Sequence, residues 1–557
     1  MSRFDHRKYR PFPPIPMAAR RWPDRVIERA PRWCAVDLRD GNQALVEPMN
    51  VAEKQRLFDL LVKLGFKEIE VGFPAASAPD FQFVRSLIDG DRVPQGVALQ
   101  VLTQARQDLI EKSFDALRGA AKAVVHLYNS TSRIQRERVF QLDRQGIIDI
   151  AVRGAEMIRQ RAERQPETQW VFQYSPESFS GTELDFAVAI CEAVMGVWEP
   201  TPERRMIVNL PATVEMATPN VFADQVEWFG DHIRHRDALI LSVHTHNDRG
   251  SAVAAAELAV MAGADRVEGT LLGNGERTGN MDIVTMAMNL YSQGVDPELD
   301  LSGMDEIVRT LEAVTRIPVH PRHPYAGELV YTAFSGSHQD AIRKCIKRQR
   351  EGEPWEVAYL PIDPADLGRS YEEVIRINSQ SGKGGVAYVL ERDQGITLPR
   401  WVQIEFSKVV QQDAETRATE VTPARIWELF QQSYLDRPGP YRLQAYHIDR
   451  QEQDSVRVEL ARDGVITLLQ GSGAGALEAL VAAMQRQFGI ALEITAYEEH
   501  AMSGGTDALA ACFVQLKCDG ERRTGVAMHR DSVAAVLSAV VAAFNRHLAE
   551  AAQAQCH

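Results

Sequence analysis

From residue 33 onward, short β-rich apolar runs alternate with longer stretches of helical period. The runs WCAVDLR (33–39), EIEVGF (68–73), VALQVLT (97–103), AVVHLYN (123–129), WVFQYSP (170–176), MIVNLPAT (206–213), LILSVHTH (239–246) and RVEGTLLG (266–273) read as eight strands. The segments between them carry apolar residues on one helical face. In 51–64, Leu57, Leu60, Leu61 and Leu64 recur at i, i+3, i+4 and i+7, and SAVAAAELAVMA (251–262) reads as a second such helix. Eight β-then-α units within about 270 residues predict an α/β fold, a (β/α)8 TIM barrel rather than an open doubly wound sheet.

Beyond about residue 430 the pattern changes. VRVELARDGVITLLQGSGAGALEALVAAMQRQF (456–488) and CFVQLKCDGERRTGVAMHRDSVAAVLSAVVAAFNRHL (512–548) both read as strand, Asp-Gly turn, strand and long amphipathic helix, an internal duplication. Neither copy offers a metal-ligand set or a nucleophile, and the natural cleft of such a pair lies at the repeat interface, where an effector could bind. The expected organisation is an N-terminal extension (1–30), a catalytic barrel (31–310), helical linker subdomains (311–430) and a C-terminal α+β domain (431–557). The glycine-rich GSGAG (471–475) and YEEHAMSGGTDALAA (497–511), with Tyr497, Asp507, Ala508 and Ala510, are the segments expected to line an effector pocket.

Composition changes this picture only by exclusion. A formal net charge of -14, with no long lysine or arginine run, leaves no electrostatic footprint for nucleic acid. Six scattered cysteines fit neither a zinc ribbon nor a disulfide framework, which suits a reducing cytoplasm. No stretch of about 18 apolar residues stands out as a bilayer span, and the proline-rich start lacks the apolar core of a signal peptide. A soluble, cytoplasmic protein acting on small molecules is expected.

In a (β/α)8 barrel the chemistry sits at the carboxyl ends of the strands. Polar residues crowd there: Arg39, Asp40 and Gln43 after the first run, His126 on the fourth, Glu177 after the fifth, Thr213 ending the sixth, His244 and His246 ending the seventh, and Asn280 after the eighth. Residues i and i+2 of a strand share a face, so both histidines point into the barrel mouth. Barrel closure brings the first strand beside the eighth and one strand from the seventh, so Asp40 and Asn280 can join them. Two imidazoles, one carboxylate and one amide oxygen make a borderline site for magnesium, zinc or manganese. Gly273, Gly275 and Gly279 imitate a dinucleotide fingerprint, but their spacing is one residue too long and they follow the eighth strand rather than the first. SQSGKGG (379–385) lacks full P-loop spacing and reads as a mobile loop.

LRDGNQ (38–43) together with HTHNDRGSAVAAAELAVMAGADRVEGTLLGNGERTGN (244–280) resembles the two signatures of the acyl-CoA-condensing, metal-dependent barrel enzymes: the 2-isopropylmalate, homocitrate and citramalate synthases. EVGFPAAS (70–77), YSPESFSGTE (174–183), FSGSHQDAI (334–342) and INSQSGKGGVAY (377–388) are similar to the longer type of the first of these. The resemblance implies Claisen condensation of acetyl-CoA, as cosubstrate, with 3-methyl-2-oxobutanoate and water, in a homodimer inhibited by L-leucine through its C-terminal domain. It also implies roles. Arg39 would hold the developing alkoxide, and Gln43, His126 and Thr213 would bind substrate. His338 would be the base, paired with Glu177 and with Tyr371 nearby, reaching the mouth from the linker of the partner subunit. Pyruvate or 2-oxoglutarate as the oxo acid stays open, and so does a metal-binding sensor without catalysis, although a sensor needs none of Arg39, Glu177, His338 and Tyr371.

Overall fold

The computed structural model describes residues 4–333, 335–369, 383–417, 421–436, 439–450, 454–502 and 508–554. The chain forms two compact units, Met1–Val330 with Ile362–Arg369, and Tyr331–Pro361 with Ser370–His557.

In the first unit eight strands, β1 (Arg32–Ala35), β2 (Glu68–Gly72), β3 (Ala98–Gln104), β4 (Lys122–Ser130), β5 (Gln169–Glu177), β6 (Met206–Ala212), β7 (Leu239–Thr245) and β8 (Arg266–Gly269), close in sequence order into a parallel barrel. Helices α1 (Val51–Leu64), α2 (Ala78–Asp89), α3 (Gln107–Leu117), α4 (Arg144–Glu163), α5 (Leu184–Trp198), α6 (Pro219–His232), α7 (Ala252–Met261) and α8 (Ile283–Tyr291) follow the strands in turn, and α9 (Met304–Thr315) comes after them. Helix α1 shows why local sequence suffices for such elements. Asn50 and Glu53 cap its start reciprocally, Leu57, Leu60, Leu61 and Leu64 are buried, and Gly65 ends it at a φ of 106° that favours glycine.

All eight predicted strands are present, but the first and last are shorter than the apolar runs. Strand β1 stops at Ala35 because the carbonyl of Val36 accepts the amides of Arg39, Asp40 and Gly41, winding Asp37–Gly41 into a tight turn. The Asp37 carboxylate then takes the amide of Leu271, tying that turn to the loop after β8. Arg39 and Asp40 therefore sit on a turn above the strand.

Ile69, Leu99, Val101, Val125, Leu127, Val208, Leu241 and Val243 alternate with the inward positions and are buried. Inside the barrel, Ala98, Val124, Ile207 and Ile240 pack together with Val171 as an apolar plug. Above the plug the interior is polar and charged: Glu68, Glu70, Gln100, Gln173, Asn209, Ser242, Arg266 and Glu268 are all buried. Such groups persist in a core only when paired, and their hydrogen bonds cross the barrel.

In the second unit, α10 (Gly336–Ile346), α11 (Lys383–Gln394), α12 (Arg400–Arg417) and α13 (Pro423–Phe430) precede two three-stranded sheets. The first contains β9 (Arg442–Asp449), β10 (Asp454–Arg462) and β11 (Val465–Gly473) in the order β11-β10-β9, followed by α14 (Ala476–Phe488). The second contains β12 (Leu492–Ala501), β13 (Ala510–Cys518) and β14 (Glu521–His529) in that order, followed by α15 (Ser532–Ala554). The duplication is real, and each copy has one more strand than the sequence suggested. Both hairpins turn through Asp-Gly pairs with positive φ, 49° and 81° at Asp463 and Gly464, 48° and 92° at Asp519 and Gly520. The GSGAG segment is explained by packing: a Cβ on Gly471 or Gly473 would collide with the backbone of α14 at Ala479.

The two faces of β13 serve different cores. Cys512, Val514, Leu516 and Cys518 pack with α14 and α15, whereas Ala511 and Phe513 pack with Val386, Leu390, Phe406, Ile426 and Phe430 of the helical segment. Contrary to expectation, one helix among the described residues is long and apolar enough to cross a bilayer: Ser532–Ala552, of mean hydropathy 1.4. Its apolar face, with Ala535, Leu537, Ala539, Val540 and Phe544, is covered by the sheet core, which accounts for the composition.

Candidate functional site

Strand register and one turn assemble the site at the carboxyl end of the barrel. His244 pairs with Glu268 across β7 and β8, and Cys34 of β1 also faces Glu268, so the turn after β1 hangs over the end of β7. Asp40, His244 and His246 are buried, and one ligand atom from each lies within 4.8 Å of the others. Asp40 Oδ2 stands 3.2 Å from His244 Nε2 and 3.7 Å from His246 Nε2. Asn280, bridged to His246 through the backbone, donates Nδ2 to Asp40 Oδ2 at 2.7 Å, while its Oδ1 is buried with no partner. Gly275 makes room for that amide, since a Cβ there would overlap Asn280 Oδ1.

The electrostatics favour a cation. Around the cluster lie the buried carboxylates of Asp40, Glu68, Glu70 and Glu268, the buried guanidinium of Arg266 and the partly exposed guanidinium of Arg39. When both histidines are neutral, as ligands to an ion must be, these six groups sum to two negative charges, which a divalent ion would offset. The same field acts on protons. Burial opposes charge on His244, yet Asp40 and Glu268 outweigh it and hold its pKa up to about 9. Burial would likewise lift the Asp40 carboxyl, but Arg39 and both histidines hold it well below the usual carboxylate range. The described residues thus form a candidate divalent-metal site of Asp40, His244 and His246; Asn280 presents its amide nitrogen to Asp40 and His244, so its orphaned Oδ1, which faces Gly275, would join the ligands after a rotation of the amide.

Over this cluster opens a cleft of about 190 Å³, lined by Arg39, Asp40, Gln43, Leu102, His126, Tyr128, Ser175, Glu177, Asn209, Pro211, Thr213, His244, His246, Glu276 and Arg277. Eight of the nine barrel residues singled out from sequence are in that lining, and the ninth, Asn280, is bonded to Asp40. Arg39 pairs with Asp40 and Glu70. His126 sits between Glu70 Oε2 at 2.8 Å and Ser175 Oγ at 2.7 Å. Gln43 donates to Glu276 at 3.0 Å, and Thr213 Oγ1 accepts the amide of Ser178 at 3.0 Å. Glu177 Oε2 accepts from Ser130, Ser178 and Gln135 at 3.1, 3.2 and 3.3 Å.

The other predicted residues lie elsewhere. His338 is exposed near the start of α10 and stacks on Tyr359 with ring centroids 3.9 Å apart. Tyr371 and Asp507 lie outside the described residues. Tyr497 on β12 donates its hydroxyl to Glu499 at 2.5 Å, and Ala510 opens β13 opposite Ala501, just after Ala508. Sequence reasoning missed Glu70, Arg266 and Glu268. The signal was there: EIEVGF and RVEG place charged residues at period two inside otherwise apolar strands, a pattern that directs them into the barrel.

Asp37, also buried, has a different fate. Desolvation lifts its carboxyl to about 7 despite the bond from Leu271. Because the folded value exceeds the unfolded one, Asp37 contributes stability that is fully present below the usual aspartate value of about 4 and is lost as pH rises from there through about 7. Thermal melts from pH 5 to 8 are therefore expected to fall more steeply for the parent chain than for Asp37→Asn. Parallel curves would remove this assignment.

Three family profiles match in succession: HMGL-like over residues 30–311, the alpha-isopropylmalate synthase post-catalytic domain-like family over 328–391, and the LeuA allosteric (dimerisation) domain over 420–548. The chain is 57% identical over 545 residues to 2-isopropylmalate synthase of Alcanivorax borkumensis, covering 98% of each chain. It is 56% identical to that of Rhodospirillum rubrum, covering 98% of this chain and 99% of the relative. Among solved structures, hydroxymethylglutaryl-CoA lyase from Pseudomonas aeruginosa matches at a TM-score of 0.43 and 19% identity, over 52% of this chain and 95% of that one. On the full-length identities, the chain belongs to the 2-isopropylmalate synthase family.

Proposed function

We propose that the chain condenses acetyl-CoA with 3-methyl-2-oxobutanoate and water to give (2S)-2-isopropylmalate and free coenzyme A, the committed step of leucine biosynthesis. The observation that carries this reading is the buried Asp40, His244 and His246 cluster beneath a cleft with an apolar wall, in a chain of this family. A divalent cation held by Asp40, His244, His246 and Asn280, whether magnesium, zinc or manganese, supplies Lewis acidity to the carbonyl of the 2-oxo acid. Arg39 at the lip stabilises the alkoxide that forms on the former keto oxygen. Gln43, His126 and Thr213 hold the oxo acid. His338, paired with Glu177 and assisted by Tyr371, is proposed to remove a proton from the acetyl methyl group. The methyl carbon then bonds to the keto carbon, and water cleaves the thioester, leaving a carboxylate and the thiol of coenzyme A.

The cleft supports a branched aliphatic oxo acid. Leu102, Tyr128 and Pro211 offer apolar surface, and both arginines in the lining are engaged, Arg39 with Asp40 and Glu70, Arg277 with Asp248. A second carboxylate, as in 2-oxoglutarate, would be buried without a free cation among the described lining residues. Two extra methyl groups gain roughly 0.8 kcal/mol each, so 3-methyl-2-oxobutanoate should exceed pyruvate by about tenfold in kcat/KM. Release of free coenzyme A from acetyl-CoA against the three oxo acids measures this. A preference for pyruvate moves the assignment to citramalate synthesis, and inertness toward all three favours a metal-binding sensor.

The LeuA dimerisation match supports a homodimer. If His338 serves the partner's site, inactive Asp40→Ala and His338→Ala chains recover activity when mixed under conditions that exchange subunits. No recovery after demonstrated exchange places the base in its own chain.

A further inference from the structure

We infer that Glu268, clamped by Arg266 on the barrel axis, is the positioning residue that aims His244 at the metal. This rests on the metal-site reading of Asp40, His244 and His246 and extends it below the ligands. A histidine can ligate through Nε2 only if that nitrogen is bare and turned to the site, and the partner of Nδ1 decides both. His244 Nδ1 lies 2.8 Å from Glu268 Oε2, and on the other side its Nε2 faces Asp40. A carboxylate accepts only, so Nδ1 carries a proton toward Glu268, and Nε2, turned to Asp40, is the nitrogen at which the ion would take the place of a proton. His246 is held more loosely, with Nδ1 3.3 Å from the carbonyl oxygen of Ala212.

Glu268 itself cannot turn. Its Oε1 accepts from Arg266 Nη1 and Gln173 Nε2, each at 2.7 Å, and from Gln100 Nε2 at 3.3 Å. Asn209 Nδ2 adds a contact to Oε2 at 3.3 Å. Arg266 is in turn fixed by Glu68 at 2.6 Å and by Ser242 and Gln100 at 2.9 Å each. These donors and acceptors come from β2, β3, β5, β6, β7 and β8, so six strands of the closed barrel fix the angle of one imidazole. Both Arg266 and Glu268 are fully buried. A purely structural pair would need only the Arg266 side of Glu268, yet the second oxygen is turned to the ligand.

Glu268→Gln keeps the shape and removes the charge, and Glu268→Asp keeps the charge and withdraws it by one methylene. Arg266→Lys keeps a cation and loses the fork. Mn2+ titration of the metal-stripped full-length chain, followed by electron paramagnetic resonance of the free ion, should show Kd raised roughly 10- to 100-fold in both Glu268 variants. The lysine variant should show a smaller rise. Thermal melts of the same metal-free samples separate this from collapse of the barrel, and if Glu268→Gln does not fold, Glu268→Asp and Arg266→Lys decide. Parental Mn2+ affinity in the folded variants overturns the inference. Absence of Mn2+ binding by the parent chain overturns the metal site beneath it, a distinguishable result.

Discussion

His246→Ala is expected to lose measurable turnover and its bound metal while keeping its fold. Lewis-acid polarisation of the oxo acid accounts for several kcal/mol of transition-state stabilisation, so coenzyme A release should fall by roughly a thousandfold or more at 1.36 kcal/mol per tenfold. His246 is the cleaner of the two histidines to remove. Its Nδ1 makes only a 3.3 Å contact to the carbonyl of Ala212, whereas His244→Ala would also strand the Glu268 carboxylate in the barrel core. Residues at the carboxyl ends of barrel strands carry function more than stability, so the melting temperature of the metal-free variant should stay within a few degrees of the parent. Metal content after gel filtration, melting temperature and coenzyme A release from one preparation settle it. Parental activity in a metal-free His246→Ala chain would sink the site.

Leucine should inhibit the full-length chain, and Tyr497→Ala should shift the inhibition curve to at least about tenfold higher leucine, a loss of about 1.4 kcal/mol of effector binding. Tyr497 lies on β12, with its hydroxyl on Glu499. An effector acts only through its preference for one state, so removing a contact in its pocket weakens inhibition without adding any to the reaction. Cutting the chain near residue 425 is the more obvious test and is expected to fail for a physical reason. Phe406, Val386 and Leu390 share one core with Ala511, Phe513 and Val526. Truncation would expose that core and aggregate the protein. The leucine titration should therefore use the intact chain, with the uninhibited rate of each preparation showing that it is folded. Unchanged inhibition in Tyr497→Ala would remove this residue from the pocket.

Much of the barrel was legible because its signals are local. Apolar runs of strand length, helical periodicity between them and caps such as Asn50 with Glu53 are written within a few residues of where they act. The cluster of Asp40, His244 and His246 was legible for a related reason: His244 near the end of β7 and His246 one residue past it lie two positions apart, and barrel closure fixes which neighbours can reach them. In the C-terminal copies the Asp-Gly turns announced the hairpins, but β9 and β12 escaped. Both are edge strands with one largely exposed face, so their apolar content is too low to mark them.

The sequence by itself determined the order of elements, the duplication and the residue types gathered at the barrel mouth, since each depends on period, turn chemistry or position at a strand end. Only the tertiary structure decided how deep the site runs. Glu70, Arg266 and Glu268 become part of it through bonds between residues as far apart as 198 positions, such as Arg266 to Glu68. The two faces of β13 likewise acquire different partners only when α11–α13 and α15 pack on opposite sides. Inter-strand register and face-to-face packing join residues that share no local pattern, and the closed, water-excluding barrel makes an unpaired charge too costly to leave, so the pairing is chosen by the whole fold.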